Sequence, residues 1–288
     1  MPNYEEIYTR AWNDNIIIGV QQMLSKFRDR VTVKMDVVGE STTFDVLGKK
    51  TARKKTSRHS KAVLTDPSLN RVHAYMDWYY DAGQFDTDDR LKSVVDPTSS
   101  TVRASIAAIE RQIDEIIIDA INGTKYTGKN GTTASSLPSS QKIAAGGTGL
   151  TLNKLIQTLE ILNQADVPDS EPKYFAISPK QLTDLLGISQ ITSADYNTMR
   201  TLTEGKVVSF LGFNFVLTNL LNTDSSNNRL CLAWTQSGVG LAIGQDIKAT
   251  IKEGTVEDHL AWQYYAGVMA GATRIEDERV VEIACVEA

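Results

Sequence analysis

Histidine and cysteine are scarce in this 288-residue chain, with three of the first and two of the second. His59, His73 and His259 are scattered, no H-E-x-x-H occurs, and no cysteine or carboxylate stands at metal-ligand spacing. The sequence therefore supports no metal site and no cofactor. Cys231 and Cys285 lie far apart in apolar, strand-like stretches, which argues against a disulfide framework and predicts buried free thiols in a reducing compartment. No apolar run approaches the roughly 18 residues that a bilayer crossing needs. MPNYEEIYTRAW also lacks the basic-then-apolar order of a signal peptide, so a soluble, unexported chain with no membrane partner is expected. A basic surplus is missing too. A net charge of −5 and a pI near 5.3 exclude wholesale wrapping of nucleic acid and leave room only for a local basic patch.

Catalytic signatures are equally thin. Gly123 to Asn130, GTKYTGKN, matches a phosphate loop except at its last position, but it follows a helical pattern and opens a Gly/Ser-rich stretch. A phosphate loop follows a strand and opens a helix, so that helix amides face the phosphates. SGVGLAIG, Ser237 to Gly244, has the wrong glycine spacing for a dinucleotide fingerprint, and strand packing explains its glycines better. There is no G-x-S-x-G elbow, and the S-x-x-K of Ser139 to Lys142 sits in a serine-rich loop. No catalytic residue emerges, which shifts weight toward a binding or structural role.

What is present begins with TSSTVRASIAAIERQIDEIIIDAING, Thr98 to Gly123. Val102, Ile106, Ile109, Ile113, Ile116 or Ile117, and Ala120 or Ile121 recur at steps of three and four, the stripe of an amphipathic helix. Arg103, Glu110, Arg111, Asp114 and Asp119 read as its solvent face. Asp96-Pro97 stops what precedes, Thr98 to Thr101 offer N-caps, and Asn122-Gly123 offers a left-handed C-cap. Such a helix is roughly 30 Å long and needs a sheet or a second helix along it.

Before it, Tyr4 to Phe27 is loosely helical and reads as an arm docking elsewhere. From Val31 the period changes to two: Val31, Val33, Met35 and Val37, then Phe44 and Val46, answered by Val72, Ala74, Met76, Trp78 and Tyr80. These predict the two arms of a long β-hairpin with too little core to stand alone. Its outer part is charged. Lys49, Lys50, Arg53, Lys54, Lys55, Arg58 and Lys61 place seven cations and no carboxylate in thirteen positions. The following stretch reverses sign, and Asp77, Asp81, Asp86, Asp88 and Asp89 are candidate partners in another copy; the plain alternative is a solvated loop. The run lacks interleaved aromatics for stacking on bases.

Beyond the long helix, GTKYTGKNGTTASSLPSSQKIAAGGTG reads as a loop or flap. Thr151 caps a second helix with Leu152, Leu155, Ile156, Leu159 and Leu162 on one face, KYFAIS is a short strand, and Ser178-Pro179 starts a third helix, PKQLTDLLG. GFNFVLTNLL, RLCLAW and VGLAIG supply strands, so a compact α+β unit is expected over about Leu150 to Ile247. The tail, IKATIKEG, HLAWQYYAGVMAGATRI and RVVEIACVEA, is expected to pair with the long helix and close a second domain that the α+β unit interrupts.

In order and spacing, the hairpin with VVGESTTFDVLGKKTARK, the helix TVRASIAAIERQIDEIIIDAI, GKVVSFLGFNFVLTNLL and the ending YYAGVMAGATRIEDERVVEIACVEA resemble the major capsid proteins of tailed bacteriophages, the Hong Kong 97-type fold. The resemblance implies an α+β fold with an N-terminal arm (1–30), an extended β-hairpin loop (31–75) that overlies a neighbouring subunit, and a periphery domain. That domain would comprise 76–150, with a spine helix at 99–122 and a core stripe of Val102, Ile106, Ile109, Ile113 and Ile117, and the closing strands 249–288. An axial domain (151–248) is inserted between them. The implied function is self-assembly, through hexamers and pentamers, into an icosahedral shell around double-stranded DNA, without enzymatic activity. DNA would be met only on the inner surface. Portal and scaffolding or decoration proteins would be partners, and assembly in the host cytoplasm would place the protein in the virion. No long helical pro-segment stands before the arm, so scaffolding is expected from a separate chain or from a removed segment. The alternative is an encapsulin-like shell around a protein cargo.

Overall fold

The computed structural model describes residues 21–55, 57–58, 61–85, 98–187, 209–254 and 261–287. In chain order the elements are β1 (Thr32–Lys34), β2 (Ser41–Leu47), β3 (Leu69–Tyr75), β4 (Asp77–Phe85), α1 (Thr98–Asn122), β5 (Lys125–Thr127), β6 (Thr133–Ser135), β7 (Lys142–Ile143), α2 (Leu152–Gln164), β8 (Lys173–Ile177), α3 (Pro179–Leu186), β9 (Ser209–Phe210), β10 (Phe213–Leu217), β11 (Arg229–Thr235), β12 (Val239–Glu253), β13 (Trp262–Arg274) and β14 (Val280–Cys285). They build three sheets, ordered β1-β12-β13-β4, β7-β14-β11-β8-β10-β9 and β2-β3-β5-β6.

The spine helix α1 lies on the sheet of β12, β13 and β4. Its 25 residues give a length of about 37 Å. Ile109, Ile113, Ile117 and Ile121 of the expected stripe are buried, whereas Val102 and Ile106 stay partly exposed. The buried face is also wider than a stripe, because Ile118 is buried as well. Asp114 stands four residues before it, on the same face, and is fully buried, not solvated as the charge pattern suggested. The helix end differs too. Gly123 does not adopt a positive φ; its N–H continues the helix to Asp119 O at 2.7 Å, and a Cβ there would lie 2.5 Å from that carbonyl. The last carbonyls are instead capped by the buried guanidinium of Arg274, whose Nη1 donates to Ile121 O (2.7 Å) and Gly123 O (2.9 Å).

The expected hairpin is shorter than its alternation. Only β2 and β3 pair, from Ser41 with Tyr75 to Leu47 with Leu69. Val33 belongs to β1, parallel to β12, while Trp78 and Tyr80 belong to β4, paired with β13. Period-two patterning sets which face a side chain takes but not which strand pairs with which. The stretch after the spine helix is not wholly loop: β5 pairs with β3 and with β6, so the hairpin acquires a small sheet of its own. Phe44, Ala74, Met76 and Ala242 form its core.

The middle unit exchanges strands with the tail. β12 joins VGLAIG, expected in the α+β unit, to IKATIKEG of the tail in one strand that runs antiparallel to β13 beneath the spine helix, and β14 crosses into the six-stranded sheet beside β11. RVVEIACV does not alternate, and Val280, Val281, Ile283 and Cys285 are all buried, as suits a central strand covered on both faces. Thr151 caps α2 by accepting from Lys154 N (3.4 Å), but Ile156 of its expected apolar face is exposed and Lys154 is buried. Ser178 and Gln181 close a capping box on α3, whose first residue is Pro179. One continuous core joins spine helix, both large sheets and Phe27. The first part of the arm, His59, His259, Asp86, Asp88, Asp89 and 188–205 lie outside the described residues.

Candidate functional site

With no catalytic constellation in the sequence, the candidate site is a surface. The β2–β3 ladder ends where Gly48 N donates to Ser68 O (2.7 Å), and residues beyond it run as an extended loop. At its base Arg71 grips Asp45 with two nitrogens, at 2.7 and 3.0 Å, a cross-strand pair that holds the Asp45 carboxyl below its usual range. Lys34 lies 4.3 Å over the Phe44 ring and adds a cation–π contact to the same base.

Every described cation of the loop is exposed: Lys49, Lys50, Arg53, Lys54, Lys55, Arg58 and Lys61. Lys49 reaches Asp166 just after α2 at 2.8 Å, an open pair that raises the lysine and lowers the aspartate. The returning limb exposes aliphatic side chains, with Val63 at 65% and Leu64 at 92%. A cleft of about 770 Å³ separates the limbs.

Of the candidate acidic partners, Asp77 and Asp81 are described. Both lie on β4, the outer strand of its sheet, and within the subunit neither forms an ion pair with the loop among the described residues. Burial, with Asp77 and Asp119 nearby, pushes the Tyr79 hydroxyl up. On the opposite face of β4 are exposed aromatics: Trp78 donates from Nε1 to the Tyr265 hydroxyl (2.5 Å), and Tyr80 stacks on Tyr265 at 5.8 Å. Gly267 leaves them room, since a Cβ there would stand 3.0 Å from the Trp78 ring.

Several polar anchors are invisible to motif reading. The buried Lys154 ammonium donates to Ala145 O, Thr148 O and Gly149 O at 2.9 Å and to Ala284 O at 3.0 Å, a carbonyl cage that ties the Gly-rich loop to β14. Its only sequence signal is a lysine interrupting an apolar helix face. Glu287 accepts from Arg229 Nη2 (2.7 Å), Ser178 Oγ (2.5 Å) and Gln181 Nε2 (3.1 Å), and the Arg229 contact chiefly lowers its pKa to about 2. A hydrogen bond to Cys285 and burial push the Cys231 thiol up. The motif lookalikes are accounted for by packing. GTKYTGKN forms β5 and a turn, and Gly240 admits the Phe44 ring, which a Cβ would meet at 2.5 Å. Among the described residues no His/Cys/Asp/Glu group could hold a metal, and no helix is long and apolar enough to cross a membrane.

The family described as phage capsid protein matches residues 5–287. Among solved structures, the capsid of Ralstonia phage GP4 is similar with a TM-score of 0.74 at 11% identity, over 98% of this chain and 96% of that one. The cyanophage P-SCSP1u capsid gives 0.72 at 16% identity, over 100% and 96%. The capsid of a native gene transfer agent particle gives 0.72 at 13% identity over the whole of both chains. Comparison with curated protein sequences gives no match.

Proposed function

The chain belongs to the phage capsid protein family, and on that footing we propose how labour is divided within a major capsid protein that forms an icosahedral shell. In this reading the fold is of the Hong Kong 97 type. The spine helix with β12, β13 and β4 forms the periphery domain, and the six-stranded sheet with α2 and α3 forms the axial domain near the centre of hexamers and pentamers. Residues 41–75 form the extended loop, which lies on a neighbouring copy. The protein has no enzymatic role, encloses double-stranded DNA, and meets portal and scaffolding or decoration proteins during assembly in the host cytoplasm.

One observation carries the loop's role: its cations and its aliphatic limb are both exposed and, Lys49 apart, show no ion pair among the described residues. A neighbour carrying Asp77 and Asp81 on an outer strand would relieve the crowded charge by about 0.2–1 kcal/mol per exposed pair, a small term repeated in every subunit of a closed shell. Changing Lys49, Lys50, Lys54 and Lys55 together to Glu should leave the subunit folded by circular dichroism but depress shell yield in sedimentation velocity. Moderate salt should weaken wild-type assembly in the same direction, since exposed pairs are screened within about 10 Å at 0.1 M. Equal yields for both proteins at both salts would reduce the loop to a solvated face. The encapsulin-like alternative draws no support from the comparisons, and particles dominated by a co-purifying protein instead of nucleic acid would be its signature.

A further inference from the structure

The spine helix carries a carboxyl side chain in the middle of its buried face, and among the described residues its side-chain hydrogen bonds all go to one segment. Asp114 Oδ1 accepts from Ser25 Oγ (2.5 Å), Lys26 N (3.1 Å) and Phe27 N (3.1 Å), and Oδ2 accepts from Gln22 Nε2 (2.5 Å) and Lys26 N (3.0 Å). The neighbouring turn of the helix completes the seat. Glu110 Oε2 accepts from Ser25 N (3.1 Å), and Arg111 Nη1 donates to Gln21 Oε1 (2.8 Å) and Gln22 O (3.2 Å). Acceptor, acceptor and donor thus hold residues 21–27 through backbone groups of residues 22 and 25–27 and through the polar side chains of Gln21, Gln22 and Ser25, without apolar contacts.

The apolar content of the segment is low. Met23 and Leu24 are exposed, and between Gln21 and Lys26 no side chain is buried; the first apolar anchor is Phe27, stacked on Trp234 at 5.2 Å. Beyond it the chain is held many times over, by Trp234 Nε1 donating to Arg30 O (3.0 Å), by the Arg28–Asp246 pair (2.7 Å) and by β1. The segment therefore has a polar attachment on one side, to the Asp114 and Glu110 carboxylates, the Arg111 guanidinium and, through Lys26 Nζ, Leu217 O (2.7 Å), and a packed aromatic anchor on the other. Segments with few buried apolar contacts open locally at free energies below that of global unfolding.

We propose that Asp114, framed by Glu110 and Arg111, is a latch for the N-terminal strap 21–27. The strap opens and closes as a unit about Phe27 without disturbing either large sheet, and in the closed state it fixes the point from which the preceding twenty residues depart. Its part in assembly rests on the shell reading above; the latch itself does not.

Amide hydrogen exchange on the unassembled full-length subunit tests the latch. Asp114→Asn keeps shape but removes the charge and turns one acceptor into a donor facing donors. Exchange at Lys26 and Phe27 should accelerate about 10- to 100-fold, with Ile117 and Trp234 unchanged. Should that variant unfold, Gln22→Ala combined with Ser25→Ala removes donors from the strap alone and should loosen the same amides about tenfold. Strap amides that keep wild-type protection in a folded variant, or that accelerate only in step with the helix core, overturn the latch. A loosened strap with undiminished shell yield overturns its assembly role. Absence of shells from the wild type is a different failure, that of the capsid reading.

Discussion

Replacing Arg274 by Ala is the most demanding test of how the spine helix is held. The guanidinium is fully buried, and besides capping Ile121 O and Gly123 O it donates to Asp277 Oδ1 (2.6 Å) and, more weakly, to Ser135 O (3.4 Å). Truncation leaves two carbonyls without their donors in a buried site, at about 1–3 kcal/mol each. It also removes a cation from the negative end of a long helix dipole, about 0.3–2 kcal/mol. Asp277 is not orphaned, because Lys125 Nζ stays within 2.9 Å, so no full unpaired-charge penalty is added. The central expectation is a loss of about 5 kcal/mol, a large fraction of the roughly 5–15 kcal/mol available to a folded domain. Urea denaturation of the unassembled subunit, followed by circular dichroism, measures it. Arg274→Lys retains the charge but not the planar fork that spans two carbonyls, so it should recover about half. Were Arg274→Ala to fall within about 1 kcal/mol of wild type, the guanidinium would not be the helix cap and the reasoning would fail.

Two further outcomes follow from the same geometry. Glu287 titrates near 2 when folded against an ordinary 4.5, so its contribution is present above the ordinary value and is lost as pH falls through about 2. Glu287→Gln should therefore flatten the acid side of the urea-midpoint profile between pH 4.5 and 2, whereas an unchanged slope would assign the acid sensitivity elsewhere. A Cβ on Gly271 would stand 1.8 Å from Tyr75 O, a backbone atom that cannot rotate away, so Gly271→Ala should lift the β2–β3 sheet off β13. Limited proteolysis should then cut within residues 49–67 faster than in wild type, and an unaltered cleavage rate would show that the added methyl is absorbed without parting the two sheets.

Local physics was legible in the residues alone. Isoleucines at steps of three and four make α1 helical wherever it packs, and Thr151 and Ser178-Pro179 start helices because their side chains and fixed φ satisfy first-turn demands locally. The cationic run, free of carboxylates, kept that loop out of any core by its own repulsion and solvation. Partner choice was not legible, because alternation and hydrophobicity are the same for any strand a segment could join. Thus the first part of β12 and all of β14 change sheets relative to expectation, and β1 leaves the hairpin for a parallel edge. Buried charge was hidden for a related reason. Asp114, Lys154 and Arg274 are ordinary surface residues by type, and each is buried only because polar groups from elsewhere in the chain, at residues 22–27, 145–149 with 284, and 121–123, arrive to satisfy it. A carboxylate or ammonium goes inside only when its hydrogen bonds are met there, and those partners come together only once the chain has folded.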